Sequence, residues 1–261
     1  MNEYFYKVWV PLQIITVIAF LAIGFSLVQL NWVLILISWF LIGPVGMGVG
    51  FHRLFAHRQF QTWPWVEKVL AVLGTFAAYS PLLFFAAQHQ YHHKTSDSAE
   101  DPSSPVEYGF WESFLTWRMR KGVMKAVHTR NKPVRTILRD RFLLKISKNF
   151  AYILYGLVVI LLLVGPFWLV NLFIVPVFLE HLRINVISSL SHMDLPFNYR
   201  LYDTMDKSQN NIVIGLISCG FGWHNSHHAR PRKMLSQEKW WEIDLEGYIA
   251  WMLDKLYKLS I

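Results

Sequence analysis

The sequence predicts an all-α integral membrane protein, with four transmembrane helices in two hairpins and a cytosolic helical cap. Three observations predict it. Of the 261 residues, 54% are hydrophobic and 16% charged, where a soluble domain carries about 25% charged residues. The mean hydropathy is +0.29. The apolar residues gather into stretches long enough to cross a hydrocarbon core, which takes roughly 20 residues. The same composition excludes a disordered chain. The one Cys excludes an intrachain disulfide and a cysteine-based metal cluster.

The elements follow in order. Residues 10–30 and 32–51 are uncharged spans joined by Gln29-Leu30-Asn31. The first is too long, and too closely followed by the second, for a cleaved signal peptide. Residues 150–168 and 170–190 form the second hairpin, turning near Gly165-Pro166. Glu180, His181 and Arg183 interrupt its second arm and are expected to face the protein interior or lie near an end, because ionisable groups at membrane depth are costly. Residues 66–87 read like a further span. A crossing there would put the histidines before it and after it on opposite sides, so this stretch is expected to be interfacial or re-entrant; Glu67, Lys68 and Pro81 fit that. The cap comprises residues 88–148 and 193–261. In it, Trp111, Phe114, Trp117 and the bases after them suggest a helix lying on the membrane surface. The tail from Ser236 to Leu259 repeats Ile243, Tyr248, Met252 and Leu256 at helical spacing and predicts an amphipathic helix. The whole chain reads as one domain.

Charge sets the expected topology. Both hairpin tips lack Lys and Arg, whereas Lys94 to Lys148 carries twelve Lys/Arg against six Asp/Glu. The positive-inside bias then puts both termini, the cap and its histidines in the cytoplasm. The net charge of +8 is read as topology and contact with membrane lipid; no nucleic-acid-binding signature accompanies it.

Nine of the eleven His fall in three tight groups plus His192. The groups are His52/His57, His89/His92/His93 and His224/His227/His228. On an α-helix positions i, i+3 and i+4 share a face, so the second and third groups each converge. His52 and His57 stand roughly 140° apart on a regular helix, so they serve two ions or sit where the helix kinks or ends. Imidazole suits iron, zinc, copper and nickel. Eight or nine His exceed what one ion with open positions needs, so the cap is expected to hold a His-rich dimetal site. An apolar site beside acyl chains suits C–H oxidation better than hydrolysis. His128 and His181 are read as bystanders, and Cys219 as a small packed residue.

At these residues the sequence resembles the membrane fatty acyl desaturases, especially the acyl-CoA Δ9 (stearoyl-CoA-like) branch in its short bacterial form. His52-Arg-Leu-Phe-Ala-His57-Arg58 is similar to that branch's HRLWSHR. Asp101-Pro102 followed by Gly109-Phe110 resembles its DP…GF stretch. Gly222-Trp-His-Asn-Ser-His-His228 is similar to GFHNYHH, and Trp240-Trp-Glu-Ile-Asp244 to a tail motif of bacterial members. The resemblance spans about Gly46 to Leu256. It implies a diiron site that uses O2 and two electrons to introduce a cis double bond into a fatty acyl chain. The implied ligands are His52, His57, His89, His92, His93, His192, His224, His227 and His228, with Asp101 orienting a ligand imidazole. His192 matches the family's histidine in an N-S-A-A-H context, here Ser188-Ser-Leu-Ser-His192. The family's Asn at the first of those positions, which reaches a metal through water, is Ser188 here. Asn185, on roughly the same helical face, is either its substitute or a packing amide. The Arg-Asp that precedes the second box in acyl-CoA enzymes is Ala87-Gln88 here, so acyl carrier protein or an intact lipid stands beside CoA as carrier. No HPGG haem motif occurs, which leaves electrons to a separate ferredoxin or cytochrome b5 with its reductase. A related hydroxylase, acetylenase or terminal-olefin-forming enzyme would share these motifs; a metal-handling membrane protein fits them less well.

Overall fold

The computed structural model describes Ile18, residues 28–120, Val123 and residues 132–261. All of the expected first span except Ile18 and residues 28–30 lies outside the described residues, as does His128.

Helix α1 runs without a break over Trp32–His57, and α8 over Pro166–Leu190; both are long and apolar enough to cross a membrane. Between them come α2 (Pro64–Phe76), α3 (Leu82–Thr95), the short α4 (Pro105–Tyr108), α5 (Lys132–Arg139), α6 (Arg141–Lys148) and α7 (Phe150–Val164). Helices α6 and α7 would make one apolar span together but are bent by 69°. A two-stranded antiparallel sheet follows, β1 (Asn198–Tyr199) with β2 (Asn210–Asn211). Then come α9 (Ile212–Ile217), α10 (His224–Ala229) and α11 (Leu245–Ser260).

Helix α1 extends six residues past the expected end at residue 51, and it does so with a different winding. From Leu41 to His57 its hydrogen bonds step five residues rather than four. That winding stacks residues five apart on one side. His52 and His57, which would diverge on a regular α-helix, therefore face the same way, as the alternative of an irregular helix allowed. Arg58, in the left-handed region at φ 53°, ends the helix.

The chain turns between α7 and α8 at Gly165, whose φ of 141° favours glycine. Residues 29–31 are tied to the first turns of α8. Asn31 caps α1 by accepting from the Leu34 N–H at 3.1 Å. Its own N–H donates to Oδ1 of buried Asn171 at 2.7 Å, and the Asn171 amide donates to the Gln29 carbonyl at 3.1 Å. Residues 29–31 and α8 are thus tied by one side chain.

The stretch 66–87 is two helices, not a span. It breaks between α2 and α3, where Ala78 takes φ 54° and Pro81 starts the next helix. Helix α2 packs closely on α1: a Cβ on Gly46 would stand 2.5 Å from the Gly74 backbone nitrogen. The break turns α3 back, so that His89 meets His57.

Glu180 and Arg183 face the interior as expected, both buried. Arg183 bridges Glu180 at 2.8 Å and Glu246 of α11 at 2.7 Å. Arg53, beside His52, pairs with Asp244 at 2.6 Å. This buried ion network locks α1, α8 and α11 together.

Two expectations for the cap need correction. Only Leu245–Ser260 of the tail is helical, because Asp244 caps Gly247 at 2.8 Å and the residues before it turn around buried carboxylates. Asp244 accepts from the Ser236 N–H at 2.7 Å, and Glu242 from the Lys239 N–H at 2.9 Å. The segment around Trp111 is helical over residues 110–119, but it does not lie wholly on the surface. Trp111 is exposed, whereas Trp117 and Arg118 turn inward and are buried.

Candidate metal centre

The nine histidines expected as ligands meet in two adjoining groups. In the first, His52, His57, His89 and His227 each offer a ring nitrogen within 4.8 Å of the others. Their Nε2 atoms form a run with His93: His57 to His89 is 2.6 Å, His89 to His93 3.1 Å, His93 to His227 3.0 Å and His227 to His52 3.0 Å. In the second, His92, His192, His224 and His228 converge within the same limit, with His192 and His224 Nε2 at 3.0 Å. The groups touch, since the His93 and His228 rings have centroids 4.4 Å apart. Helical geometry divides each box. In one, His89 and His93 stay with the first group while His92 reaches the second. In the other, His224 and His228 stay with the second while His227, one residue short of a full turn, reaches the first.

This arrangement fits metal and makes little sense without it. Two donors about 2.1 Å from one ion and at right angles stand about 3.0 Å apart, which is the spacing seen. Bare imidazoles cannot satisfy one another so, because a neutral ring has a single N–H. In the second group that N–H is already engaged. His92 Nδ1 donates to Asp101 at 2.8 Å, His192 Nδ1 to Asp97 at 2.7 Å and His228 Nδ1 to Asp206 at 2.7 Å. Their Nε2 lone pairs are left facing inward, and His228 Nε2 is buried with no partner. Burial holds the imidazoles of His89, His93, His224, His227 and His228 well below their usual range. They are therefore neutral and free to donate electron pairs. The donor set is imidazole alone.

Asp101, which accepts from the His92 imidazole, is steadied by the Ser103 N–H at 3.0 Å and hydroxyl at 2.7 Å. Asp97 and Asp206 do the same work and escape sequence reasoning. Asp97 sits 95 residues from His192 in sequence, and Asp206 22 from His228; no spacing rule links such pairs. Asn185 accepts from the Tyr79 hydroxyl at 3.3 Å. Ser188 lines a cavity with His89, His92 and His224. His181 stays apart, its Nε2 on the Ala77 carbonyl at 3.2 Å.

The cavity beside the second group holds about 70 Å³ and opens outward. Phe84, Phe85, Ile184, Ile187 and Phe221 give it apolar walls. An apolar cavity against two clustered sets of imidazoles, on a scaffold with membrane-length helices, defines a histidine-rich, metal-binding membrane protein that handles an apolar substrate.

The comparisons with known proteins make this specific. The chain belongs to the fatty acid desaturase family, whose family model matches residues 30–242. It is therefore an oxidoreductase of lipid metabolism. It is 32% identical over 250 residues to the sn-1 stearoyl-lipid 9-desaturase of Anabaena variabilis, covering 95% of this chain and 87% of the relative. The Synechocystis sp. protein of the same description is 31% identical over 250 residues, covering 95% of this chain and 74% of the relative. The hex-5-enoyl-(acyl-carrier protein) acetylenase of Moorena producens is 29% identical over 248 residues, 85% of this chain and 74% of the relative.

Proposed function

We propose that this chain is an O2-dependent diiron desaturase that introduces a cis double bond, of the Δ9 type, into a fatty acyl chain. The convergence of nine imidazoles in two adjoining groups beside an apolar cavity carries the reading. His52, His57, His89, His93 and His227 would hold one iron, and His92, His192, His224 and His228 the other. Bound iron supplies the O2 chemistry that, with two external electrons and two protons, removes two hydrogens from the chain and yields two waters. The protein's own part is orientation. Asp97, Asp101 and Asp206 fix the ring tautomers and aim the lone pairs of His192, His92 and His228. The phenyl and isoleucine walls hold the chain and keep bulk water out. Ser188, on the cavity wall, and Asn185 stand near the second group for a water or a packing role.

The rest of the reading follows the charge pattern. Four crossings in two hairpins put the cap and both termini in the cytoplasm. The tie between residues 29–31 and α8 through Asn171 supports that pairing. The carrier is CoA, acyl carrier protein or a lipid. Electrons come from a ferredoxin or cytochrome b5 with its reductase, docking on the basic cap.

Expression in a host lacking its own desaturase, followed by gas chromatography of its fatty acids, tests the function. A new monounsaturated acid is expected. An alkyne instead would favour an acetylenase, a reading the Moorena producens relative keeps in view. A hydroxy acid would point to a hydroxylase, and a terminal alkene to an olefin-forming enzyme. Metal analysis of the purified chain is expected to give two irons, and one zinc without iron would sink the diiron assignment. Asp206→Ala is expected to weaken iron binding by ~10–100-fold, the usual cost of losing such an outer carboxylate. Iron content after dialysis against a graded chelator reads it.

A further inference from the structure

Helix α11 packs on the rest of the chain through one side and leaves the other exposed. Glu246, Gly247, Ala250 and Asp254 are buried, against α1 and the residues just after it. Leu245, Tyr248, Met252, Leu256 and Leu259 are all exposed, and steps of three and four residues put them on one stripe. Large apolar side chains gathered in one exposed patch mark a surface that something else covers.

Charge narrows what covers it. The two acids of α11, Glu246 and Asp254, are turned inward and buried. Asp254 accepts from the Gln61 N–H at 3.0 Å. The charged residues beside the stripe are Lys255 and Lys258, both exposed. An apolar stripe with a basic rim is the pattern of a helix lying in a lipid interface, where long lysine stems let the ammonium reach the headgroups.

Depth points the same way. Helix α11 starts beside a part of α1 that belongs to its crossing. A Cβ on Gly48 would strike the Glu246 carboxylate, and Gly48 falls within the first ~20 residues of α1, the length a crossing needs. Helix α11 ends beside the start of α2. There the Trp63 Nε1–H donates to the Ser260 hydroxyl at 3.1 Å, and the Trp63 ring meets the Tyr257 ring edge-on at 5.7 Å. From this seam α2 carries the apolar surface onward, with Trp65 and Val69 exposed and Trp65 stacked on Trp63 at 6.4 Å. Trp and Tyr gather at membrane–water interfaces, so the seam marks the level of the headgroups.

We propose that the outward side of α11 is a membrane-binding surface. Tyr248, Met252, Leu256 and Leu259 enter the acyl-chain boundary of the bilayer, and Lys255 and Lys258 face anionic headgroups. The helix whose first turn pairs with Arg53 and Arg183 is then held by α1 on one side and by lipid on the other. This surface is independent of the reaction catalysed.

Nitroxide labels on the full chain test it. Cys219, the one native cysteine, is replaced by Ala. Met252→Cys, Leu256→Cys and, as a reference in water, Met205→Cys are then labelled one at a time; Met205 is fully exposed. The chain is reconstituted in vesicles of phosphatidylcholine and phosphatidylglycerol, and collisions of each label with oxygen and with a polar nickel chelate are measured by power saturation. The ratio of oxygen to nickel collisions at 252 and 256 is expected to exceed that at 205 by about fivefold or more, because a polar solute is excluded from hydrocarbon and oxygen is not. Ratios equal to that at 205 overturn the proposal, since the stripe is then in water. Few collisions with either probe overturn it too, since protein then covers the stripe; spectral broadening lost on dilution with unlabelled chain would identify that protein as a second copy. Should either cysteine variant fail to accumulate, Tyr248→Cys and Leu259→Cys read the same stripe.

Discussion

His92→Ala is expected to abolish the unsaturated product while the chain still accumulates in membranes. His92 is the member of the second box that crosses to the second group, and its Nδ1 is held by Asp101 at 2.8 Å. Removing it leaves three imidazoles of four in that group and strands the Asp101 carboxylate in the interior. Loss of an outer carboxylate alone costs ~10–100-fold in affinity or activity, so loss of the imidazole itself is expected to exceed that. Gas chromatography of the host's fatty acids reads the activity, and immunoblotting of the membrane fraction confirms that the chain is present. Product at wild-type level would mean that the site is elsewhere. The helix itself should survive, because alanine is the best helix former.

Arg183→Met carries the largest expected cost in stability. It leaves Glu180 and Glu246, both 0% exposed, without the cation that bridges them. Removing one partner of a buried ion cluster costs about 3–5 kcal/mol, against a total stability of about 5–15 kcal/mol. For a chain of this size that lowers the melting temperature by roughly 6–20 °C. A thermal melt of the detergent-purified protein, followed by size-exclusion chromatography, measures it. Adding Glu180→Gln and Glu246→Gln is expected to restore part of the loss, because the stranded charges are then gone. An unchanged melting temperature in Arg183→Met would show that the network contributes nothing to holding the helices together.

The three histidine groups and His192 are legible in the sequence because a helical period of 3.6 residues turns HxxHH into a shared face. The break in 66–87 is legible too, since two histidine groups that must meet cannot flank a crossing. The geometry of His52 and His57 is legible only as one of two alternatives, because the five-residue winding of α1 has no signature in the α-helical period. Asp97 and Asp206 are hidden because their partners are remote along the chain. The burial of Trp117 and Arg118 is masked by composition: aromatic and basic residues in succession look like a lipid-facing surface whichever way they turn. The tail reads as too long a helix because Ile243 falls in register with the true helix, although Asp244 begins it.

The ion network has a consequence in time. Arg53 and Arg183 are synthesised well before Asp244 and Glu246, their partners. The last three histidines of the two groups lie between them in sequence, at 224, 227 and 228. While the ribosome is still elongating, neither arginine has its α11-side partner and neither histidine group is complete. Completion of the two histidine groups and closure of the helices are therefore both late events, set by the same stretch of chain. A translational stall before residue 244 would leave Arg53 without its Asp244 partner and Arg183 held by Glu180 alone.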